Sequence, residues 1–209
     1  MKRRSAASVF GCAAVLLGYP DDRFSTDLAA VAHTVAGLPT GAARAGLTAT
    51  AAWLTGMAPA QAAATYVETF DLSRGTSLYL TYYRHGDTRD RGLSLAALAD
   101  SYRACGYQLS PGELPDFLPA LLELAACHQA GAAILAEQRL GLDALAAALD
   151  SSGSGYRPAV DAVIDALPSP SRADRAALER YRAQGPPSEH VGLEPFAPPE
   201  VLGEKVTRR

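Results

Sequence analysis

Apolar residues recur every three or four positions along most of this chain, and much of what lies between them is alanine. Alanine supplies about a fifth of the 209 residues. It has the strongest helix preference of any residue, and its small side chain lets helices approach closely. Val9, Cys12, Ala13 and Leu16 fall on one helical face. Phe24, Leu28, Val31 and Val35 repeat the pattern, as do Leu95, Leu98, Ala99 and Tyr102. This spacing predicts an all-α protein. A chain of this length is expected to bury about 70% of its unfolded surface, so its core needs no disulfide or metal staple. With 20% charged residues and a net charge of −3, the composition is globular and speaks against a nucleic-acid-coating role.

Breaks between the periodic runs divide the chain into about eight to ten helices in a single bundle. Pro20 ends the first helix, and Asp21-Asp22 opens a second that Gly37-Leu38-Pro39 stops. A third helix is predicted over residues 42–57, and a fourth from Pro59 to about Phe70. Residues 76–85 have a composition that suits a strand. With no partner of like character nearby, a helix is the better reading. Asp87 is placed as an N-cap with Asp90 at N3, opening a helix that ends at Gly106. Further helices are predicted over 113–127, 130–150, Pro158–Leu167 and Ser171–Arg182, with Pro119 kinking the first of these or delaying its start. The helical domain thus spans residues 1–184. From 185 to 209 five prolines and three glycines crowd a charged tail expected to be extended or disordered.

Lys2-Arg3-Arg4 before the apolar stretch to Gly18 resembles a secretory signal. Ser5-Ala6-Ala7 after the arginines, the lack of a clear small-x-small cleavage site and the shortness of the run favour a first core helix instead. The three cysteines, Cys12, Cys105 and Cys127, are odd in number and lack C-x-x-C spacing. They read as small buried hydrophobes in a reducing compartment.

Little in the chain has the spacing of an active site. His33, His85, His128 and His190 show no metal-binding helix pattern, and there is no nucleophile elbow. Asp116 and Glu123, seven apart, would share one helix face, where capping and surface charge are their ordinary roles. His85, Asp87 and Asp116 define the one enzymatic alternative, a helical metal-dependent hydrolase. The richest stretch is residues 66–92. It gathers Tyr66, Phe70, Tyr79, Tyr82 and Tyr83 beside a charge run from Arg84 to Arg91. The rings suit either core packing or a wet-edged binding surface. Arg89 and Arg91 sit in a first helical turn, where the helix dipole disfavours cations. Asp87 and Asp90 can offset this, or the arginines can face a partner carboxylate or pin the loop to another helix.

These residues carry a resemblance. Tyr66-Val67-Glu68-Thr69-Phe70-Asp71, Leu78-Tyr79-Leu80-Thr81-Tyr82-Tyr83 and His85-Gly86-Asp87-Thr88-Arg89 with Arg91-Gly92 are similar to the signature of the respiratory nitrate reductase delta subunit. This is the NarJ-type molybdenum cofactor assembly chaperone family. Leu16-Leu17-Gly18-Tyr19-Pro20-Asp21 resembles the end of that family's first helix. Glu113-Leu114-Pro115-Asp116-Phe117-Leu118-Pro119, with Leu122-Glu123, resembles a motif shared with the wider TorD-like redox chaperones. The likeness spans roughly residues 8–180, although Ser73-Arg74-Gly75-Thr76 is less basic than the family pattern.

The resemblance implies a cytoplasmic, non-enzymatic helical protein, monomeric or dimeric, with no cofactor of its own and no stable membrane insertion. Its partner would be the amino-terminal segment of the nitrate reductase catalytic (alpha) subunit, held ready for molybdenum cofactor insertion before membrane attachment; a different molybdoenzyme of the same superfamily is the alternative client. A groove lined by Tyr66, Phe70, Leu78, Tyr82 and Leu118 would take an amphipathic helix. Glu68, Asp71, Asp116 and Glu123 would meet its basic residues. Tyr79, Tyr83, His85, Asp87, Arg89 and Arg91 complete the expected partner-binding set.

Overall fold

The computed structural model describes residues 2–187 of the chain. Within them lie eleven α-helices and no extended sheet. The first three are α1 (Lys2–Leu16), α2 (Phe24–Ala36) and α3 (Ala42–Thr55). They are followed by α4 (Pro59–Tyr66), which runs directly into a wide π-helical turn, Val67–Asp71. A 3-10 turn (Arg74–Thr76) leads to α5 (Thr81–His85) and α6 (Arg89–Ala104). The remainder is α7 (Leu118–Cys127), α8 (Gly131–Glu137), α9 (Arg139–Ser151), α10 (Arg157–Ala166) and α11 (Arg172–Gln184). No described helix is long and apolar enough to cross a membrane.

The amino-terminal apolar stretch is a core helix, since Val9, Phe10, Cys12, Ala13, Leu16 and Leu17 are all buried. α1 lies along α7 and also meets α2, α3 and α10, while α10 lies along α3. Small residues set that closeness. A Cβ built on Gly46 of α3 would stand 2.4 Å from the Pro158 carbonyl oxygen of α10, too near for any side chain. Across the same interface the Thr50 hydroxyl donates to the Gly155 carbonyl (3.0 Å) and accepts from the Ala159 N–H (3.1 Å). Trp53, Tyr66, Phe70 and Tyr156 form one aromatic cluster, with ring centroids 4.7–5.0 Å apart along the chain Trp53–Tyr156–Phe70–Tyr66. Burial raises the Tyr156 phenol to about 12.

Several elements differ from the sequence reading. Residues 76–85 are not one helix. Only Thr81–His85 winds, and the residues before it pair with a segment far along the chain. Tyr79 and Phe117 form an antiparallel bridge: the Leu80 N–H donates to the Asp116 carbonyl (3.0 Å), and the Leu118 N–H to the Leu78 carbonyl (2.9 Å). The helix predicted over 113–127 starts only at Leu118, with Pro119 in its first turn. Asp116 therefore lies outside the helix that carries Glu123, and the two do not share a helix face. The 130–150 helix is interrupted at Gln138, whose ψ of 17° leaves the helical range. Thr88, not Asp87, is the N-cap residue of α6. At the other end of the chain Ser171 caps α11 with a full capping box to Asp174.

Gly86 turns the chain between α5 and α6 at φ 57°, and the Pro187 backbone packs against its Cα. A side chain at Gly86 would be strained and would collide with Pro187. The tail expected from residue 185 lies, beyond Pro187, outside the described residues, as does His190. Cys12 is buried as expected, and burial lifts its thiol to about 11. The other two cysteines depart from expectation, Cys105 being half-buried and Cys127 exposed.

Candidate functional site

The bridge between residues 78–80 and 116–118 is built around one buried carboxylate. Asp116 is fully buried. Its Oδ2 accepts from the Thr81 N–H (3.2 Å), the Thr81 hydroxyl and Arg91 Nη2 (3.4 Å). Arg91 also donates from Nε to the Thr81 hydroxyl oxygen (3.3 Å) and pairs with Asp87 on the surface (3.6 Å). The arginine that strains against the α6 dipole is thus anchored by two carboxylates and fixes α6 to both bridge strands. Beneath the bridge, the Tyr83 hydroxyl points at the carbonyls of Gly75 (3.1 Å) and Ser77 (2.9 Å). Its burial drives the phenol pKa far above the ordinary value.

Tyr79 and Phe117 present their rings side by side on top of the bridge, with centroids 5.4 Å apart and both half-buried. A hollow opens on each side. One, of about 320 Å³, is lined by Phe70, Asp71, Ser73, Ser77, Tyr79, Tyr82 and Asp87. The other, of about 470 Å³, runs between Phe117 and the ends of α6 and α7, with Tyr102, Tyr107, Leu109, Glu113, Pro119 and Glu123 among its walls. Both combine aromatic walls with a pair of carboxylates, Asp71 with Asp87 and Glu113 with Glu123. Such surfaces suit an apolar segment carrying positive charge.

Residues 37–162 match the family model described as "Nitrate reductase delta subunit". The chain belongs to this family. Every candidate site residue lies within the matched segment. Relatives include the nitrate reductase-like protein NarX of Mycobacterium tuberculosis, 40% identical over 158 residues, which are 74% of this chain and 24% of NarX. The probable nitrate reductase molybdenum cofactor assembly chaperone NarJ of Bacillus subtilis is 35% identical over 104 residues, 49% of this chain and 56% of that protein. The corresponding NarJ of Escherichia coli is 48% identical over 73 residues, 35% of this chain and 31% of its own length. The chain thus spans about a quarter to about half of these relatives. It shares with the delta-subunit family the all-helical fold that the sequence resemblance implied.

Placement of the expected partner-binding residues divides them into two groups. Tyr66, Leu78, Tyr83 and Leu118 are sealed in the core, and Asp116 is closed off with them. Of the residues expected to line the groove, Leu78 and Leu118 turn inward at the bridge and Tyr66 packs into the aromatic cluster, while Asp116, expected to meet basic residues, is an internal anchor. Tyr66 instead belongs to the aromatic cluster, its phenol pKa raised first by burial and then by Asp71. Phe70 is mostly buried but forms the floor of the smaller hollow. Tyr79, Tyr82, Asp71 and Asp87 line that hollow, and Glu123 lines the larger one. Glu68 is exposed on the π turn, and Arg89 lies exposed at the start of α6. His85 is half-buried at the end of α5, and its pKa is lowered by burial and then by Arg84.

Tyr102, Tyr107, Glu113 and Phe117 enter the candidate site through the structure alone. The sequence places Tyr102 in a core stripe, Phe117 among the apolar positions of the 113–127 helix and Glu113 in a motif without a binding role. Among the described residues, no three His, Cys, Asp or Glu side chains are grouped to hold a metal ion. His85, Asp87 and Asp116 therefore do not form the hydrolase centre, and Asp116 is already committed to Thr81 and Arg91.

Proposed function

We propose that this chain is a dedicated assembly chaperone for a respiratory nitrate reductase. It binds the apo catalytic (alpha) subunit through that subunit's amino-terminal segment. It keeps the apo-enzyme competent for molybdenum cofactor insertion and delays its attachment to the membrane until loading is complete. The chain itself catalyses no reaction in this reading and works in the cytoplasm, with residues 1–184 as the chaperone domain and 185–209 as an appended tail.

The observation that carries the reading is the Tyr79–Phe117 ridge with an acidic, aromatic-walled hollow on either side. An amphipathic segment laid across it sets apolar side chains on the rings and basic ones toward Asp71, Asp87, Glu113 and Glu123. Membership of the delta-subunit family, and relatives whose names describe molybdenum cofactor assembly chaperones, support the choice of client.

The test is affinity capture of the tagged full chain from nitrate-respiring cells, followed by calorimetry with a synthetic peptide of the catalytic subunit's amino terminus. The catalytic subunit is expected to co-elute, and Tyr82→Ala is expected to weaken the peptide about tenfold, as loss of an interface aromatic does. Raising salt should weaken it further. Absence of the catalytic subunit from the eluate together with no peptide binding would refute the reading.

A further inference from the structure

The larger hollow contains a polar group that the fold leaves unmatched. Tyr102 of α6 is only 4% exposed, and its hydroxyl is buried with no hydrogen-bond partner. Folded proteins seldom leave such a group alone. Burial is the main reason its pKa is raised, and the charges of Glu123, Asp116 and Glu113 add to it in that order. Glu113 and Glu123 line the same hollow as Tyr102. Tyr102 thus shares the lining of one hollow with both carboxylates, and the other buried unpartnered side-chain oxygen among the described residues is Asp116 Oδ1.

Those two carboxylates are also short of positive charge. None of the ion pairs among the described residues involves either one. Glu113 accepts only the neighbouring Leu114 N–H (3.0 Å), and Glu123 is exposed and can swing. Phe117 and Pro119 supply an apolar wall beside them.

We propose that this hollow is a subsite for one arginine side chain of the docked polypeptide. Its aliphatic stem lies against Phe117 and Pro119, and its guanidinium sits between Glu113 and Glu123 with one N–H directed to the Tyr102 hydroxyl oxygen. Two carboxylates and a phenol are acceptors spread around the head group, which matches the several fixed donors of a guanidinium better than the point charge of an ammonium. A neutral side chain would leave both carboxylates uncompensated. The assignment rests on the proposed docking of a client segment, and it names what that segment must carry.

Two measurements on the full chain test it. In the first, N-acetyl-arginine methylamide is titrated while the tyrosine ring carbons are followed by NMR, with the uncharged citrulline compound as control. The Tyr102 signal should move saturably with the arginine compound alone, and the movement should vanish in a Glu113→Gln/Glu123→Gln variant. An unmoved Tyr102 signal, or equal movement with citrulline, overturns the subsite. In the second, the amino-terminal client peptide is bound by calorimetry, with each of its arginines replaced in turn by citrulline. The double Gln variant should weaken the peptide about tenfold and Tyr102→Phe about threefold. For one citrulline peptide, both losses should disappear. A client peptide that binds the double variant as tightly as the unaltered chain overturns the subsite and leaves the chaperone reading standing. Arginine-specific movement of Tyr102 with no peptide binding supports the subsite and removes the assigned client.

Discussion

The α1, α3 and α10 core and the bridge between residues 78–80 and 116–118 are held together by different means. In the first, helices touch through small residues and apolar side chains, and Gly46 lets α3 press against the α10 backbone. In the second, a fully buried carboxylate ties Thr81 and Arg91 to a segment 35 and 25 positions further along the chain. The core gains from many small contacts that are individually replaceable. The bridge depends on one charged group whose removal leaves two Thr81 donors without their acceptor and Arg91 with Asp87 as its one carboxylate. The lesson is that the ridge on which a partner would dock is the part of the molecule least tolerant of change beneath it.

Asp116→Ala gives the strongest test of that contrast. It is expected to cost about 3–5 kcal/mol in a denaturant titration, since two buried Thr81 donors lose their acceptor and Arg91 loses one of its two carboxylates. Asp116→Asn, which keeps an acceptor for Thr81, should lose distinctly less. Gly46→Val comes next, at about 2–3 kcal/mol from overpacking against a backbone that cannot yield. A larger loss at Gly46 than at Asp116 would reverse the comparison.

Tyr83→Phe should cost about 1–2 kcal/mol, because the carbonyls of Gly75 and Ser77 lose their shared donor. The smallest effect belongs to a site remote from both regions. Ser171→Ala is expected to remove about 1 kcal/mol through loss of the α11 cap. Hydrogen bonds from the Ser171 hydroxyl and backbone N–H hold the Asp174 carboxyl below its ordinary value of 3.8. The folded state thus binds this proton less readily than the unfolded chain, so the contribution is complete above that value and is lost as pH falls through the folded one. Thermal melts at successive pH values should show the Ser171→Ala difference constant near neutrality and shrinking only in acid.

The same contrast explains what could be read from the amino acids alone. α1, α2, α3 and α10 follow from local spacing, because each helix buries a stripe that repeats every three or four residues. The bridge does not, because Tyr79 is paired with Phe117 by tertiary folding, and no local pattern in residues 76–85 announces a partner so distant. That missing pairing also misplaced the groove. With residues 76–85 read as a helix, Leu78 and Tyr82 fell on one broad face. In the bridge Leu78 turns inward, and Tyr79 and Tyr82 are left at the surface. Glu113 and Phe117 sat in plain view inside a quoted motif, yet only the folded chain brings them beside Tyr102.

The wide turn at Val67–Asp71 has a consequence for how this chain can vary. A π-helical turn holds one residue more than the α4 turns that precede it. Excising the surplus residue, at Glu68 for instance, would return this stretch to regular winding and leave the residues after the cut close to their present phase. Phe70 would stay with the aromatic cluster and Asp71 on the rim of the hollow. The chain can therefore shorten by one residue here with little change to its shape, which a deletion in the middle of α3 or α10 would not permit.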